Sequence, residues 1–106
     1  MMIREFLNYL QFERNYSART VKEYGADLKE FELYFKNLDA HLSWESVDSD
    51  VIRDWMESMM DKGNSASSVN RRLSALRSFF RFALSRNLVS SDPAHGCLLY
   101  TSDAAD

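Results

Sequence analysis

The chain has 106 residues, of which 45% are apolar and 13% aromatic, so it can form one compact domain but not two, and it is not a disordered chain. No apolar run is long enough to cross a membrane and no secretory signal is visible, so we expect a cytoplasmic domain with no membrane partner. The single cysteine, Cys97, excludes a disulfide framework and a cysteine-based zinc site, and we predict no metal and no cofactor. The net charge of −3 argues at first against a nucleic-acid partner.

The low content of turn residues favours helices. Three glycines and one proline are too few for a domain built from many short strands. Apolar residues instead recur at steps of three and four over long stretches, which is the spacing of amphipathic helices. We therefore predict an all-α fold, with four helices near residues 2–14, 18–37, 49–61 and 66–86.

The first two helices are predicted from their apolar stripes. Ser17 can cap the second helix, and Thr20 with Glu23 has the form of an alternative capping box. Gly25 lies inside this helix and costs about 1 kcal/mol relative to alanine. The stripes are Ile3, Phe6, Leu7 and Leu10 in the first helix, and Val21, Tyr24, Leu28, Phe31 and Phe35 in the second.

A polar loop with two apolar anchors leads to the last two helices. Asp48 is a good N-cap for the third helix, Gly63 is placed to terminate it, and Pro93 excludes a long continuation of the fourth. The loop anchors are Trp44 and Val47, the third stripe is Ile52, Trp55, Met56 and Met59, and the fourth is Val69, Leu73, Leu76, Phe80 and Leu84.

The average charge conceals a strong segregation along the chain. Residues 1–37 carry six basic and six acidic groups, residues 38–61 carry one basic and seven acidic groups, and residues 62–91 carry six basic groups and no acid. On a helical wheel, the polar face of the fourth helix gathers Ser67, Asn70, Arg71, Ser74, Arg77, Ser78 and Arg81. A merely solvated face usually interleaves Glu with Lys, whereas acid-free arginines among small residues can approach phosphates and base edges. Both interpretations remain open on this pattern alone.

Several segments together resemble a known family. These are Phe6–Leu10, Glu13–Ser17, Asp27-Leu28, the run Arg72-Leu73-Ser74-Ala75-Leu76-Arg77-Ser78-Phe79-Phe80-Arg81-Phe82, and Asp92-Pro93-Ala94. Their order and content resemble the N-terminal core-binding (SAM-like) domain of tyrosine recombinases of the phage-integrase family, in particular its Xer branch. The resemblance covers about residues 3–95, and we assign residues 1–95 to this domain.

The resemblance implies a four-helix SAM-like bundle that forms half of a clamp around double-stranded DNA at a recombination site. It implies that the second and fourth helices cross the major groove, and that other recombinase protomers join in a synaptic complex. The matching positions are Ser17, Arg19, Thr20 and Lys22 on the second helix, and Ser67, Ser68, Asn70, Arg71, Arg72, Ser74 and Arg77 on the fourth.

In the family, strand cleavage belongs to a separate C-terminal domain, so we expect no catalytic residue in this chain. Its tyrosines and its two histidines are expected to have packing or surface roles. Residues 96–106 depart from the family pattern and look like the translation of a sequencing adapter, so we interpret them as a non-native tail without packing.

Two other functions fit the same pattern. A helix-turn-helix regulator would use the fourth helix for recognition, but neither a tight turn nor a matching preceding helix is evident between Met59 and Ser67. A helical protein-interaction bundle would dock its basic segment on the acidic segment of another copy.

Overall fold

Four α-helices make up the computed structural model, which describes residues 2–97. Helix α1 continues into a short π-helical segment, and the described residues contain no strand. None of the described helices is both long enough and apolar enough to cross a bilayer. The all-α, four-helix prediction is therefore confirmed, with bounds Met2–Asn8 for α1, Tyr9–Glu13 for the π-helical segment, Ala18–Leu38 for α2, Ser49–Asp61 for α3 and Ala66–Ser85 for α4.

Side-chain caps begin the last three helices. In each case an oxygen of the capping side chain accepts a hydrogen bond from the backbone amide three residues later, which satisfies one of the free donors at a helix start. Gly63 follows the end of α3 with a φ of +95°, a conformation that glycine adopts without strain. The caps are Ser17, Asp48 and Ser65, so the alternative box starting at Thr20 is not the one used.

The first helix differs from its prediction as one regular helix over residues 2–14. Its second half is π-helical, and the Arg14 amide donates to the carbonyl of Tyr9 over 3.1 Å. Phe6 and Leu10 are both buried, as their spacing predicted. Apolar spacing over a single turn does not distinguish hydrogen bonds that reach four residues back from those that reach five, so the wider turn was not predictable from it.

Aromatic side chains from three parts of the chain form the centre of the core. Trp44, in the loop before α3, lies with its ring centroid 4.6 Å from that of Phe79 and 5.3 Å from that of Phe35. Its indole N–H donates to Glu32 over 3.2 Å, so the buried ring keeps a polar partner. Trp44 and Val47 are both buried, which confirms them as the loop anchors.

Four predicted stripe positions lie outside the buried core, and two of them, Ile3 and Leu7, are half-buried on α1. Leu84 is 41% exposed, because the last turn of α4 turns Ala83 rather than Leu84 toward the core. A repeat of 3.6 residues allows either position after Phe80, and neighbouring helices decide between them. Tyr24 is only half-buried on α2.

Helix α1 approaches α2 closely at Gly25. A Cβ atom at this position would lie 3.0 Å from the Cδ1 of Leu7, which is tighter than ordinary side-chain contacts. The absence of a side chain therefore has a packing reason in addition to its cost in helix propensity.

The sequence predicted that residues 96–106 lack packing, and this prediction is wrong for Cys97. Cys97 is 1% exposed and belongs to the core cluster, and its carbonyl accepts a hydrogen bond from Arg77. Burial raises the pKa of its thiol, against the opposing effects of Arg53 and Arg77. The remaining tail, residues 98–106, lies outside the described residues.

Shortening a central core residue should destabilise the fold far more than shortening its exposed neighbour. Leu76 is fully buried, so Leu76→Ala should lower the free energy of unfolding by about 2–5 kcal/mol. Leu84→Ala, the matched control on the same helix, should cost less than about 1 kcal/mol. Urea unfolding followed by circular dichroism measures both, and equal losses would contradict the assignment of Leu84 to the surface.

Candidate nucleic-acid interface

Helices α2 and α4 contact each other in the core of the domain. Asp27 of α2 contacts Arg71 of α4, and one turn earlier on α2 the Tyr24 hydroxyl lies beside Ser78, further along α4. Asp27 therefore lies near the first third of α4, and Tyr24 lies near the second half of that helix.

A buried carboxylate joins the two helices. Asp27 is 6% exposed, and its Oδ2 accepts a hydrogen bond from the Nη1 of Arg71 over 3.0 Å. Its Oδ1 lies 3.8 Å from the Nε of Arg72, whose guanidinium also reaches Glu30 over 3.4 Å and the Sδ of Met59 over 3.1 Å. The carboxylate is thus placed between two arginines, which is the arrangement that a buried charge needs.

Arg71 and Arg72 differ in the exposed fraction of their side chains. The Arg72 side chain is 19% exposed and its Nε is buried without a hydrogen-bond partner, so Arg72 is mainly a packing residue of the α2–α4 contact. The Arg71 side chain is 52% exposed, so one edge of its guanidinium is held by Asp27 and the rest faces solvent. Because a guanidinium is planar and has five N–H donors, Arg71 can bind Asp27 at one edge and still offer donors to solvent at the other.

The arginine face of α4 therefore carries less unpaired positive charge than the sequence of α4 alone indicates. The helical wheel showed no acid on α4 to pair with Arg71 or Arg72, but α2 supplies Asp27 and Glu30 across the helix contact. Arg77 is half-buried and donates to the carbonyl of Cys97. Of the three predicted arginines on α4, Arg71 is the one that the structure leaves best placed for an external anion.

The predicted positions on α2 lie at its exposed first turns. Ser17 is the cap, and its hydroxyl also donates to the hydroxyl of the half-buried Thr20 over 2.9 Å. Arg19 is exposed and forms an ion pair with Glu23 at 3.6 Å, one turn later on the same helix. The Lys22 side chain is also exposed.

The uncharged predicted positions on α4 form a polar strip beside Arg71. Ser67 and Ser74 are exposed, whereas Ser68 and Asn70 are half-buried. The Ser68 amide is used by the cap at Ser65. Because serine side chains are short, they protrude little from this strip, and a phosphate backbone can approach the helix closely.

The predicted residues form two groups, one on each helix. Ser67, Ser68 and Asn70 precede Arg71 on α4, the residue that contacts Asp27 of α2. The α2 group, from Ser17 to Lys22, precedes Tyr24, whose hydroxyl lies beside Ser78 in the second half of α4. The sequence predicted both groups but not these contacts between the helices, because the spacing of apolar residues within one helix does not determine how two helices pack.

Two arginines that the resemblance did not assign lie beside the α2 group. Arg81, which the helical wheel had placed on the polar face, is exposed in the second half of α4. Arg14, just before the cap of α2, is exposed as well and lies with its guanidinium 5.7 Å from the ring centroid of Tyr16. The helical wheel predicted that Arg81 lies on the polar face of α4, whereas only the tertiary structure shows that Arg14 lies in the same cleft. Within residues 2–97, no group of three His, Cys, Asp or Glu side chains is gathered in a way that could hold a metal ion.

The fold agrees with the comparisons with known proteins. The family model "Phage integrase, N-terminal SAM-like domain" matches residues 3–87, and the chain belongs to this family, as the sequence resemblance indicated. No solved structure gives a significant match.

Curated relatives carry the name tyrosine recombinase XerD. The chain is 36% identical over 93 residues to the protein from Staphylococcus haemolyticus, 29% over 92 residues to that from Oceanobacillus iheyensis, and 32% over 93 residues to that from Staphylococcus aureus. Each comparison covers 87% of this chain and 31% of the relative. The chain thus spans about a third of the length of the curated relatives it matches.

One sequence argument against a helix-turn-helix regulator is wrong. Helices α3 and α4 are joined by only four residues, 62–65, which include the left-handed Gly63. A connection of this length is compatible with a helix-turn-helix. The family match, and not the length of the turn, favours the core-binding domain.

Removing the Asp27 carboxylate should weaken the α2–α4 contact. Asp27→Ala leaves the inner edge of Arg71 without its acceptor and removes the negative charge beside the buried Nε of Arg72, so the free energy of unfolding should fall by about 1–3 kcal/mol. Glu30→Ala, which removes a half-exposed ion pair to the same Arg72, should cost at most about 1 kcal/mol. Chemical denaturation of the three proteins measures both values, and equal costs would show that burial of Asp27 is not what matters.

The Asp27 carboxylate should also make the free energy of unfolding depend on pH. Burial raises the pKa of Asp27, and Arg71 and Arg72 oppose this shift without cancelling it. The folded state therefore holds the proton more tightly than the unfolded state, so this group's contribution to stability is largest below about pH 4 and declines as the pH rises through the raised pKa. The difference in free energy of unfolding between the wild type and Asp27→Ala should shrink from pH 4 toward neutrality, and a difference that grows with pH would contradict a raised pKa.

Proposed function

We propose that the chain is the DNA-binding core-binding domain of a site-specific tyrosine recombinase. In this proposal it forms half of a clamp on double-stranded DNA, and the parent recombinase performs strand exchange through a C-terminal catalytic domain. The clamp acts together with other recombinase protomers at the recombination site. The family membership and the names of the curated relatives support this proposal.

The exposed half of the Arg71 guanidinium is the structural observation that carries the proposal. Asp27 holds one edge of the side chain, so little conformational freedom is lost when the free edge binds a phosphate or a guanine. Ser67 and Ser74 flank Arg71 on the exposed strip without steric bulk. From Ser67 to Arg81 this strip is about 21 Å long at 1.5 Å per residue, which is enough to follow several phosphates of a duplex.

The role proposed for this segment is binding and positioning. Phosphate contacts from α2 and α4 would fix the domain on the duplex, and arginine contacts to base edges would contribute sequence preference. In the family, the tyrosine nucleophile and its supporting charges belong to the C-terminal domain, so we propose no catalytic residue among the described residues.

Self-association through opposite charges is the competing function. The acidic residues 38–61 and the basic residues 62–91 could attract each other between copies. Arg71 and Arg72 already have acidic partners within one molecule, and this reduces the positive charge available to a second copy and to DNA alike. The family match therefore decides between the two proposals and favours DNA binding.

Two lysines on the same helix provide a matched test. Lys22 lies at the start of α2 in the proposed interface, whereas Lys36 lies about 21 Å further along the helix at 1.5 Å per residue. Both side chains are exposed, so neither substitution should change stability by more than about 0.5 kcal/mol. Lys22→Gln should weaken binding to duplex DNA and reduce the slope of log K against log salt by about one, while Lys36→Gln should leave both unchanged.

Fluorescence anisotropy with a labelled duplex measures these affinities, and a salt series gives the slopes. We expect the wild type to bind with a Kd of about 10⁻⁴–10⁻⁶ M, because half of a clamp makes only part of the phosphate contacts. Failure to bind at low salt, together with dimerisation in analytical ultracentrifugation, would favour self-association instead. Equal effects of the two lysine substitutions would contradict the proposed orientation on DNA.

A further inference from the structure

A cleft lies between the π-helical segment and the second half of α4. Its volume is about 280 Å³, and Phe6, Leu10 and Phe82 contribute its apolar lining. The polar residues around it are Arg14, Arg81, Tyr9, Tyr16, Ser78 and Ser85. The lining contains two cations, four hydroxyl groups and no carboxylate.

The two arginines of this cleft differ from most arginines of the domain. Neither Arg14 nor Arg81 forms an ion pair with a carboxylate within residues 2–97. Arg14 contacts tyrosines instead, with its Nη1 3.5 Å from the Tyr9 hydroxyl and its guanidinium over the ring of Tyr16. The arginines with carboxylate partners are Arg19, Arg53, Arg71, Arg72 and Arg86.

The lining therefore has positive charge without internal compensation. Hydrogen bonding to Tyr9, together with the neighbouring tyrosines, raises the pKa of Arg14, so this group stays charged under all ordinary conditions. Arg14 and Arg81 both offer planar sets of N–H donors, and the serine hydroxyls can add further donors. An anion with several acceptor oxygens is the ligand that fits this combination.

The position of the cleft limits which anion it can meet. Tyr16 directly precedes Ser17, the cap of α2, and Ser78 and Arg81 continue the exposed strip that contains Arg71 and Ser74. The cleft therefore adjoins the start of α2 through Tyr16 and lies in line with the α4 strip through Ser78 and Arg81. A duplex bound along that strip would present its backbone phosphates toward the cleft.

We infer that the cleft between Arg14 and Arg81 is a binding site for a backbone phosphodiester of the bound DNA, at the end of the interface opposite Ser67. The inference rests on the proposed function and adds two arginines to the residues that the family resemblance assigned. Arg81 approaches the phosphate from α4, and Arg14, held across the Tyr16 ring, approaches it from the N-terminal segment. The cleft thereby joins the first helix to an interface otherwise made by α2 and α4.

Charge-neutralising substitutions of both arginines test this site. Arg14→Gln and Arg81→Gln should each weaken duplex binding and reduce the salt slope by about one, since each removes a phosphate contact. Arg4→Gln is the matched control, because Arg4 is an exposed arginine of the same N-terminal segment that lies outside the cleft lining. Circular dichroism melting of each variant shows whether the fold is intact, and NMR of the Arg14 and Arg81 Nε–Hε groups during titration with duplex reports contact directly.

The outcomes separate this site from the proposed function. Reduced slopes for the two cleft variants, an unchanged slope for Arg4→Gln, and shifted Nε–Hε signals would support the site. If the wild type binds duplex and Lys22→Gln weakens it, but the cleft variants retain the wild-type slope, the phosphate site is wrong while the proposed function stands. An equal loss for Arg4→Gln would attribute the effect to net charge and overturn the site. A wild-type chain that binds no duplex at low salt would overturn both.

Discussion

The contact between Asp27 and the two arginines of α4 is the interaction on which the rest of this structure depends. A carboxylate with 6% exposure is costly unless it is paired, and Arg71 and Arg72 provide the pairing from the neighbouring helix. The same contact brings Asp27 of α2 beside the first third of α4. Further along α4, Ser78 lies beside Tyr24, and Arg81 lines the cleft that Tyr16 also lines.

This arrangement divides the arginines of α4 between structure and binding. Arg72 is largely enclosed by Asp27, Glu30 and Met59, whereas Arg71 shares its guanidinium between Asp27 and solvent. A side chain held at one edge has fewer conformations to lose on binding, so a buried acid can assist an interface for an anion. An acid next to a basic surface is therefore no argument against nucleic-acid binding when the acid is buried and its partner is half-exposed.

Local segregation of charge explains how a chain with a net charge of −3 can present a positive surface. The exposed carboxylates of α3, Asp50, Asp54, Glu57 and Asp61, recur at helical spacing on a different helix from the arginine strip. Screening in physiological salt limits the reach of each charge to about 8 Å, so the two surfaces act largely independently. The acidic helix repels phosphates on its own side and so favours binding through α2 and α4.

The sequence alone determined the fold class, the helices and the family, because apolar spacing, caps such as Ser17 and Asp48, and the run around Leu73–Phe82 are local features. It also identified the α4 face and therefore most of the candidate interface. Three features depended on tertiary structure: the pairing of Arg71 with Asp27, the burial of Cys97, and the cleft that brings Arg14 to Arg81. Each joins residues far apart in the chain, and the direction and level at which helices pack are set by the whole core and not by the periodicity of any single helix.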